Sequence, residues 1–205
     1  MEAKRQLIHL SGLLFVLLAQ FTDRLTAAFY FFLIAITFLL YSEHVRKDKR
    51  KLVGMLESME KRIRGFVTSF ERQEAPRPFL GAFWFYFGCG AAFLLYSHTI
   101  ASAACSMLVV GDALSTLIGS RFGRHKLVGM KSYEGSVAFF IGSVLISIAF
   151  VNAWLALLGS LAAMISELLP ETGFLSNARK KGIIDDNLLI PVIAGFVMVL
   201  GMALI

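Results

Sequence analysis

The chain has 205 residues, of which 57% are apolar and only 17% charged, with a mean hydropathy of +0.71 and a formal net charge of +6. A soluble domain would carry roughly a quarter charged residues, so this composition excludes an ordinary water-soluble globule and points to one membrane-embedded helical domain over residues 1–205. The apolar segments are too long and too weakly alternating for barrel strands, and Cys89 and Cys105 lie inside them, where packing is expected rather than a disulfide framework or a zinc site.

Seven apolar segments follow one another, about Leu7–Phe21, Leu25–Tyr41, Phe79–Tyr96, Thr99–Gly119, Gly135–Val151, Ala153–Leu169 and Leu188–Ile205. Crossing a bilayer as a helix takes roughly 20 residues, so several are near the short limit. The first is the weakest, because it is short and contains His9, Ser11 and Gln20; a re-entrant or tilted segment is the alternative there. No small-x-small site precedes a polar stretch after Leu7, so no cleavable signal is expected. The expected fold is all-α, a polytopic membrane protein of about seven transmembrane helices. With that count, the N-terminus and the loops after spans two, four and six share one side and hold 19 of the 20 Lys and Arg, leaving only Arg24 opposite. The positive-inside bias then makes the N-terminus cytoplasmic. The opposite loops, near Thr22–Arg24, Ser97–His98 and Asn152, are too short to build a site, so the chemistry is expected on the cytoplasmic face.

Taken in order, the first candidates are Arg5 and His9, at i and i+4 on the first segment, either structural or part of an active site. The loop over residues 42–78 has Leu52, Leu56, Met59, Ile63, Phe66 and Phe70 at helical spacing and ends on Pro76 and Pro78. It reads as an amphipathic interfacial helix, either an anchor to anionic headgroups or a lateral gate for a lipid. The pentapeptide KLVGM recurs at Lys51–Met55 and Lys126–Met130 with unmatched flanks, so it is taken as coincidence.

Asp112 stands inside the fourth apolar segment. With Ser115, Thr116 and Gly119 it forms a stripe at i, i+3, i+4 and i+7. A buried carboxylate is costly enough that a metal or charged ligand is expected to accompany it. A basic loop follows, with Arg121, Arg124, His125, Lys126 and Lys131 set among Gly119, Gly123 and Gly129. Such a loop serves equally as a topology signal or as a phosphate cradle at a helix start, and it is not a Walker A loop. Ser132 and Glu134 suit both capping and ligand binding, while Gly135 and Ser136 suit close helix packing. Glu167 lies near the cytoplasmic end of the sixth segment, at the level of Asp112. Asp185-Asp186-Asn187 precedes the seventh, with Pro191 placed in its first turn; two acids and an amide are more than a cap needs and suit Mg²⁺. Acids and bases gathered at one membrane boundary match metal-bridged phosphate chemistry.

In order, Gly111-Asp112-Ala113, Gly119-x-x-Phe122-Gly123-x-x-Lys126, Lys131-Ser132-x-Glu134-Gly135-Ser136, Glu167-Leu168-Leu169-Pro170 and Ile184-Asp185-Asp186-Asn187-Leu188-x-Ile190-Pro191 resemble the CTP-dependent polyprenol kinase family. Dolichol kinase, phytol kinase and the CTP-dependent diacylglycerol kinase belong to that family, and Lys4-Arg5-x-x-x-His9 is similar to the start of its members. The chain is shorter than eukaryotic dolichol kinases and corresponds to a minimal catalytic unit; Tyr133 stands where an aliphatic residue is expected. The resemblance implies transfer of the γ-phosphate of CTP to a polyprenol or other isoprenoid alcohol, with Mg²⁺ or another divalent metal. On that basis Asp112, Asp186, Lys131 and Glu134 are the catalytic candidates, and Asp112 or Asp186 would accept the alcohol's proton. Arg121, Gly123, Lys126, Lys131, Ser132, Gly135 and Asn187 would bind the nucleotide. Asp112, Glu167, Asp185 and Asp186 would hold the metal, with Arg5, His9 and Ser115 as further candidates. The expected partners are CTP and a lipid alcohol, not nucleic acid. Alternatives are diacylglycerol as the acceptor, a CDP-lipid-forming cytidylyltransferase and, less in keeping with acids crowded on one face, a transporter.

Overall fold

The computed structural model describes residues 12–46 and 79–204. The expected amphipathic helix over Leu52–Phe70 and the roles expected of Arg5 and His9 lie outside them. Residues 12–19 form α1, followed by α2 (Arg24–Arg46), α3 (Leu80–Leu95) and α4 (His98–Phe122). A two-stranded antiparallel hairpin, β1 (Lys126–Val128) and β2 (Lys131–Ser132), leads into α5 (Tyr133–Ser147) and α6 (Ala153–Leu168). A short 3₁₀ turn (Leu169–Glu171), α7 (Gly173–Lys180) and α8 (Asp186–Met202) complete the order. Neither the hairpin nor α7 follows from apolar periodicity, because both are short and mostly polar.

Local chemistry sets the helix starts. The Asp23 carboxylate takes the amides of Leu25 and Thr26 ahead of α2, at 3.0 and 3.1 Å. Ser132 accepts from the Gly135 amide at 3.2 Å, Asn152 from Leu155 at 2.9 Å and Asp185 from Asn187 at 3.1 Å, which caps α5, α6 and α8 in turn. The connections opposite the hairpin are as short as expected; two residues, Tyr96 and Ser97, join α3 to α4.

α4 is the central helix, packed against α3, α5, α6 and α8. Its small residues Ala101, Ala103, Ala104 and Gly111 are what let four neighbours approach. At Gly111 a Cβ would fall 2.6 Å from Ser143 Oγ and 2.7 Å from the Phe139 ring, so α5 lies directly on it. Phe93, Met107, Leu108, Phe139, Ile190 and Met198 fill the core, while Phe29, Leu33, Leu145, Leu161 and Phe196 face outward. Serines 102, 106, 143, 147, 160 and 166 are inside. Large apolar groups outside and small polar ones inside suit an apolar solvent.

Three helical stretches, Arg24–His44, His98–Phe122 and Ala153–Glu171, are long and apolar enough to cross a membrane. Leu80–Leu95, Tyr133–Ser147 and Asp186–Met202 are apolar but shorter. The protein is an all-α membrane protein on this composition and packing.

One expectation is corrected. Capped by Asp185, α8 starts at Asp186, which moves Pro191 out of the first turn and into the helix interior. There it has no N–H to give to the Asn187 carbonyl. α3 meets this point with Gly88, where a Cβ would collide with the Asn187 carbonyl and lie 3.0 Å from Leu188 Cα. The absence of a side chain at residue 88 is thus what lets α3 press against the acidic start of α8.

Candidate functional site

Asp112 and Ser115 lie one turn apart on the buried face of α4, 7% and 4% exposed. Beyond α4 the chain turns back through the hairpin, whose register pairs Lys126 with Ser132 and Val128 with Lys131. Gly119, Gly123 and Gly135 converge on Ser132; a Cβ at Gly123 would stand 2.6 Å from Ser132 Oγ, and one at Gly119 or Gly135 would stand 3.2 Å away. These glycines allow β2 to lie on the end of α4, and that placement carries the Lys131 side chain inward, leaving it 14% exposed.

Lys131 Nζ donates to Glu167 Oε1 at 2.6 Å and stands 4.0 Å from Asp112 Oδ1. The same Glu167 oxygen accepts from Ser115 Oγ at 2.6 Å. Glu167 is fully buried, and its other oxygen, Oε2, has no hydrogen-bond partner among the described residues. Burial by itself would depress the lysine's pKa, but the charges of Glu167, Asp112 and Asp186 outweigh it and hold Lys131 above its ordinary value. Lys131 is therefore a firmly charged ammonium among three carboxylates. Removing one partner of such a buried pair leaves an uncompensated charge, at a cost of about 3–5 kcal/mol.

A second branch comes from α8. Asp186 is 4% exposed and accepts from the Asn187 amide at 3.1 Å, and its Oδ2 lies 3.9 Å from Arg179 Nη2. Arg179 Nη1 donates to Glu171 Oε1. Asp185 caps the helix and also receives the Asn187 side-chain amide at 2.6 Å.

The structure thus brings together Asp112, Ser115, Lys131, Glu167 and Asp186 of the residues expected at the site. It sets others apart. Glu134 is bound by His125, with its Oε1 2.7 Å from the ring Nδ1, so it braces the hairpin. Arg121 and Lys126 are exposed on the rim, and Lys126 Nζ reaches the Met130 carbonyl at 3.4 Å. Asn187 is buried beside its own cap, Ser132 and Gly135 are spent on the α4–α5 junction, and Gly123 lies beside them. The four acids expected to ligate a metal are not gathered into a cage: among the described residues no three His, Cys, Asp or Glu side chains are grouped to hold a metal ion. Lys131 sits between Asp112 and Glu167, Arg179 faces Asp186, and Asp185 serves as a cap.

Sequence reasoning passed over Glu171 and Arg179. One signal was there: Glu171 follows Glu167 by four residues, which places a second acid at the same end of α6.

The chain is 27% identical over 199 residues to an uncharacterized protein, RP860, of Rickettsia prowazekii (strain Madrid E), an alignment that covers 93% of this chain and 89% of the relative. It is 38% identical over 93 residues to an uncharacterized protein, MJ1137, of Methanocaldococcus jannaschii, covering 45% of this chain and 43% of that one. No family model matches the chain, and no solved structure matches it.

Proposed function

We propose that the protein is a lipid-alcohol kinase that transfers the γ-phosphate of CTP to a polyprenol-type alcohol at the cytoplasmic face of a seven-span bundle. The observation that carries this reading is the Lys131 ammonium, held 2.6 Å from Glu167 and 4.0 Å from Asp112 beneath a basic hairpin. A cation set among carboxylates at a helix boundary suits a ligand that brings both phosphate oxygens and a divalent cation. The choice of CTP and of an isoprenoid acceptor rests on the motif resemblance. The seven spans and the cytoplasmic side rest on the distribution of Lys and Arg.

A bound Mg²⁺ would neutralise phosphate charge; it is commonly held by one or two carboxylates together with substrate phosphates, and Asp112 and Asp186 are the carboxylates that would hold it here. The residues of the chain do the rest. Lys131 binds the transferred phosphate and Arg121 and Lys126 draw the nucleotide to the rim. Asp112 or Asp186 accepts the alcohol's proton. Glu167, itself held by the Ser115 hydroxyl, keeps Lys131 in place until phosphate replaces that contact. The lipid tail stays in the bilayer, and only its hydroxyl needs to reach the level of Asp112.

Purified protein in detergent, given polyprenol and CTP labelled at the α or γ position, tests the reading. Label entering the lipid from γ alone supports the kinase. Label from α converts it to CMP transfer, and incorporation into diacylglycerol but not polyprenol changes the acceptor. Folded protein that labels none of these lipids would sink it.

A further inference from the structure

We infer that Glu171 and Arg179 form a positioning pair that ties the hairpin turn to the acidic start of α8, with the Arg179 guanidinium fixing Asp186 from its side opposite Glu171. The role given to Asp186 in this inference rests on the kinase reading; the tie itself rests on geometry.

Glu171 closes the 3₁₀ turn after α6 and is half-buried. The hairpin turn sits on it. Gly129 has φ +55, and a Cβ there would strike the Glu171 carboxylate, with Glu171 Cδ 3.2 Å away. Only glycine meets both conditions, a left-handed backbone and no room for a side chain. The other carboxylate oxygen, Oε1, takes Nη1 of Arg179 from α7, and Nη2 of the same guanidinium faces Asp186 Oδ2 at 3.9 Å. One planar fork therefore spans acids from two separate elements, which a lysine's single point charge does less well.

Three features favour positioning over direct contact with substrate. The Arg179 side chain is only 18% exposed, and both of its terminal nitrogens already face carboxylates. An incoming phosphate would have to displace both. The hairpin also meets acids from the same end of α6 at two points: Lys131 is paired with Glu167, and the turn at Gly129 packs closely on Glu171. The first contact lies among the carboxylates of the site, whereas the second sets the distance between the hairpin and α8. Removing it leaves Lys131 in place but lets Asp186 and the hairpin move independently.

Two measurements on the full-length protein in detergent test the pair. Amide hydrogen exchange over residues 126–132 and 183–187 should quicken about tenfold in Arg179→Gln and in Glu171→Gln, less in Arg179→Lys, and not at all in the remote control Arg24→Gln. Wild-type exchange in both glutamine variants overturns the tie. In steady-state turnover with CTP and polyprenol, Arg179→Gln should lower kcat about tenfold or more while the KM for CTP stays within about threefold, with partial recovery in Arg179→Lys. A large rise in that KM at unchanged kcat overturns positioning in favour of direct phosphate binding. A wild-type protein that transfers no phosphate defeats the kinase reading alone, and the exchange result still decides the pair. Should Arg179→Gln fail to fold, Glu171→Gln keeps the side chain's size and carries the same test.

Discussion

The two ends of α4 solve the same problem in opposite ways. At its start, Gln20 Nε2 donates to the Val16 carbonyl and to Ser102 Oγ at 3.0 and 2.8 Å, and Ser102 donates in turn to the His98 carbonyl at 2.8 Å. His98 Nε2 is 3.0 Å from the Ala19 carbonyl, and Arg24 donates to the Tyr96 carbonyl at 3.2 Å. These are amide, hydroxyl, imidazole and guanidinium groups closed off mainly by backbone oxygens, and they hold the connections together. At the other end, Lys131 and Arg179 face Asp112, Glu167, Glu171 and Asp186, and one oxygen of the buried Glu167 has no partner among the described residues. A polar group that only joins helices is saturated as cheaply as possible, whereas charge beyond what joining needs is the feature on which the proposed phosphate site rests.

The largest effect should come from Asp112, the buried acid of α4 that stands 4.0 Å from the Lys131 ammonium. Asp112→Asn keeps the side chain's shape and should cut turnover about 10³-fold, a loss in the range seen for a general base, while the protein stays inserted and folded. Wild-type turnover in that variant would make Asp112 a structural acid like Asp23, and the contrast between the two ends would lose its main support.

Next is the Lys131–Glu167 pair. Lys131→Met alone leaves a buried carboxylate without its cation and should cost about 3 kcal/mol in detergent unfolding. Replacing both partners, Lys131→Met with Glu167→Leu, should return part of that stability, because the fully buried carboxylate is gone while Asp112 still lacks its cation. Activity should not return with it. A double variant that is both stable and active would show that the pair is a strut, no different in kind from Gln20–Ser102.

These residues also show what the sequence made legible. Asp112 and Glu167 stand out because a carboxylate in an apolar run is costly wherever the chain goes, and Asp185-Asp186 stands out as more acid than a cap requires. The central position of α4 is written in its small residues. Lys131 was harder to place. Its partner is 36 residues away, and whether a loop lysine points to water or inward depends on how β2 lies against Gly119 and Gly123. Glu134 shows the converse: its position before an apolar helix suited a ligand, and an exposed histidine nine residues earlier took it instead. The place of Pro191 in α8 depended on where the helix starts: counted from Leu188, where the apolar run begins, it falls in the first turn, but the Asp185 cap starts the helix two residues earlier, at Asp186.

A smaller effect should appear at alkaline pH. The fold holds the Lys131 ammonium above its ordinary value of 10.5, so the unfolded chain releases that proton first. The stability this contributes is complete below about pH 10 and is withdrawn as the pH rises from the ordinary value through the folded one. Thermal unfolding in detergent, followed from neutral pH to about pH 11, should therefore fall more steeply for the wild type than for the Lys131→Met, Glu167→Leu double variant. Parallel curves would mean that the buried ammonium gains nothing from its three carboxylates.

The smallest effects belong to the opposite end. Gln20→Ala removes the donor to Val16 and Ser102, whose hydroxyl keeps its bond to the His98 carbonyl, and Arg24→Gln removes the cation from the Tyr96 carbonyl in the α3–α4 connection. A hydrogen bond of this kind is worth about 0.5–1.5 kcal/mol net, so each variant should unfold slightly earlier, with turnover unchanged. This result carries more weight than its size suggests. Both ends are linked through one helix, and Ser102 and Asp112 are less than three turns apart on it. If loosening the first end slowed turnover as much as losing Arg179, the bundle would be acting as one body, and surplus charge would no longer distinguish the working end from the joining end.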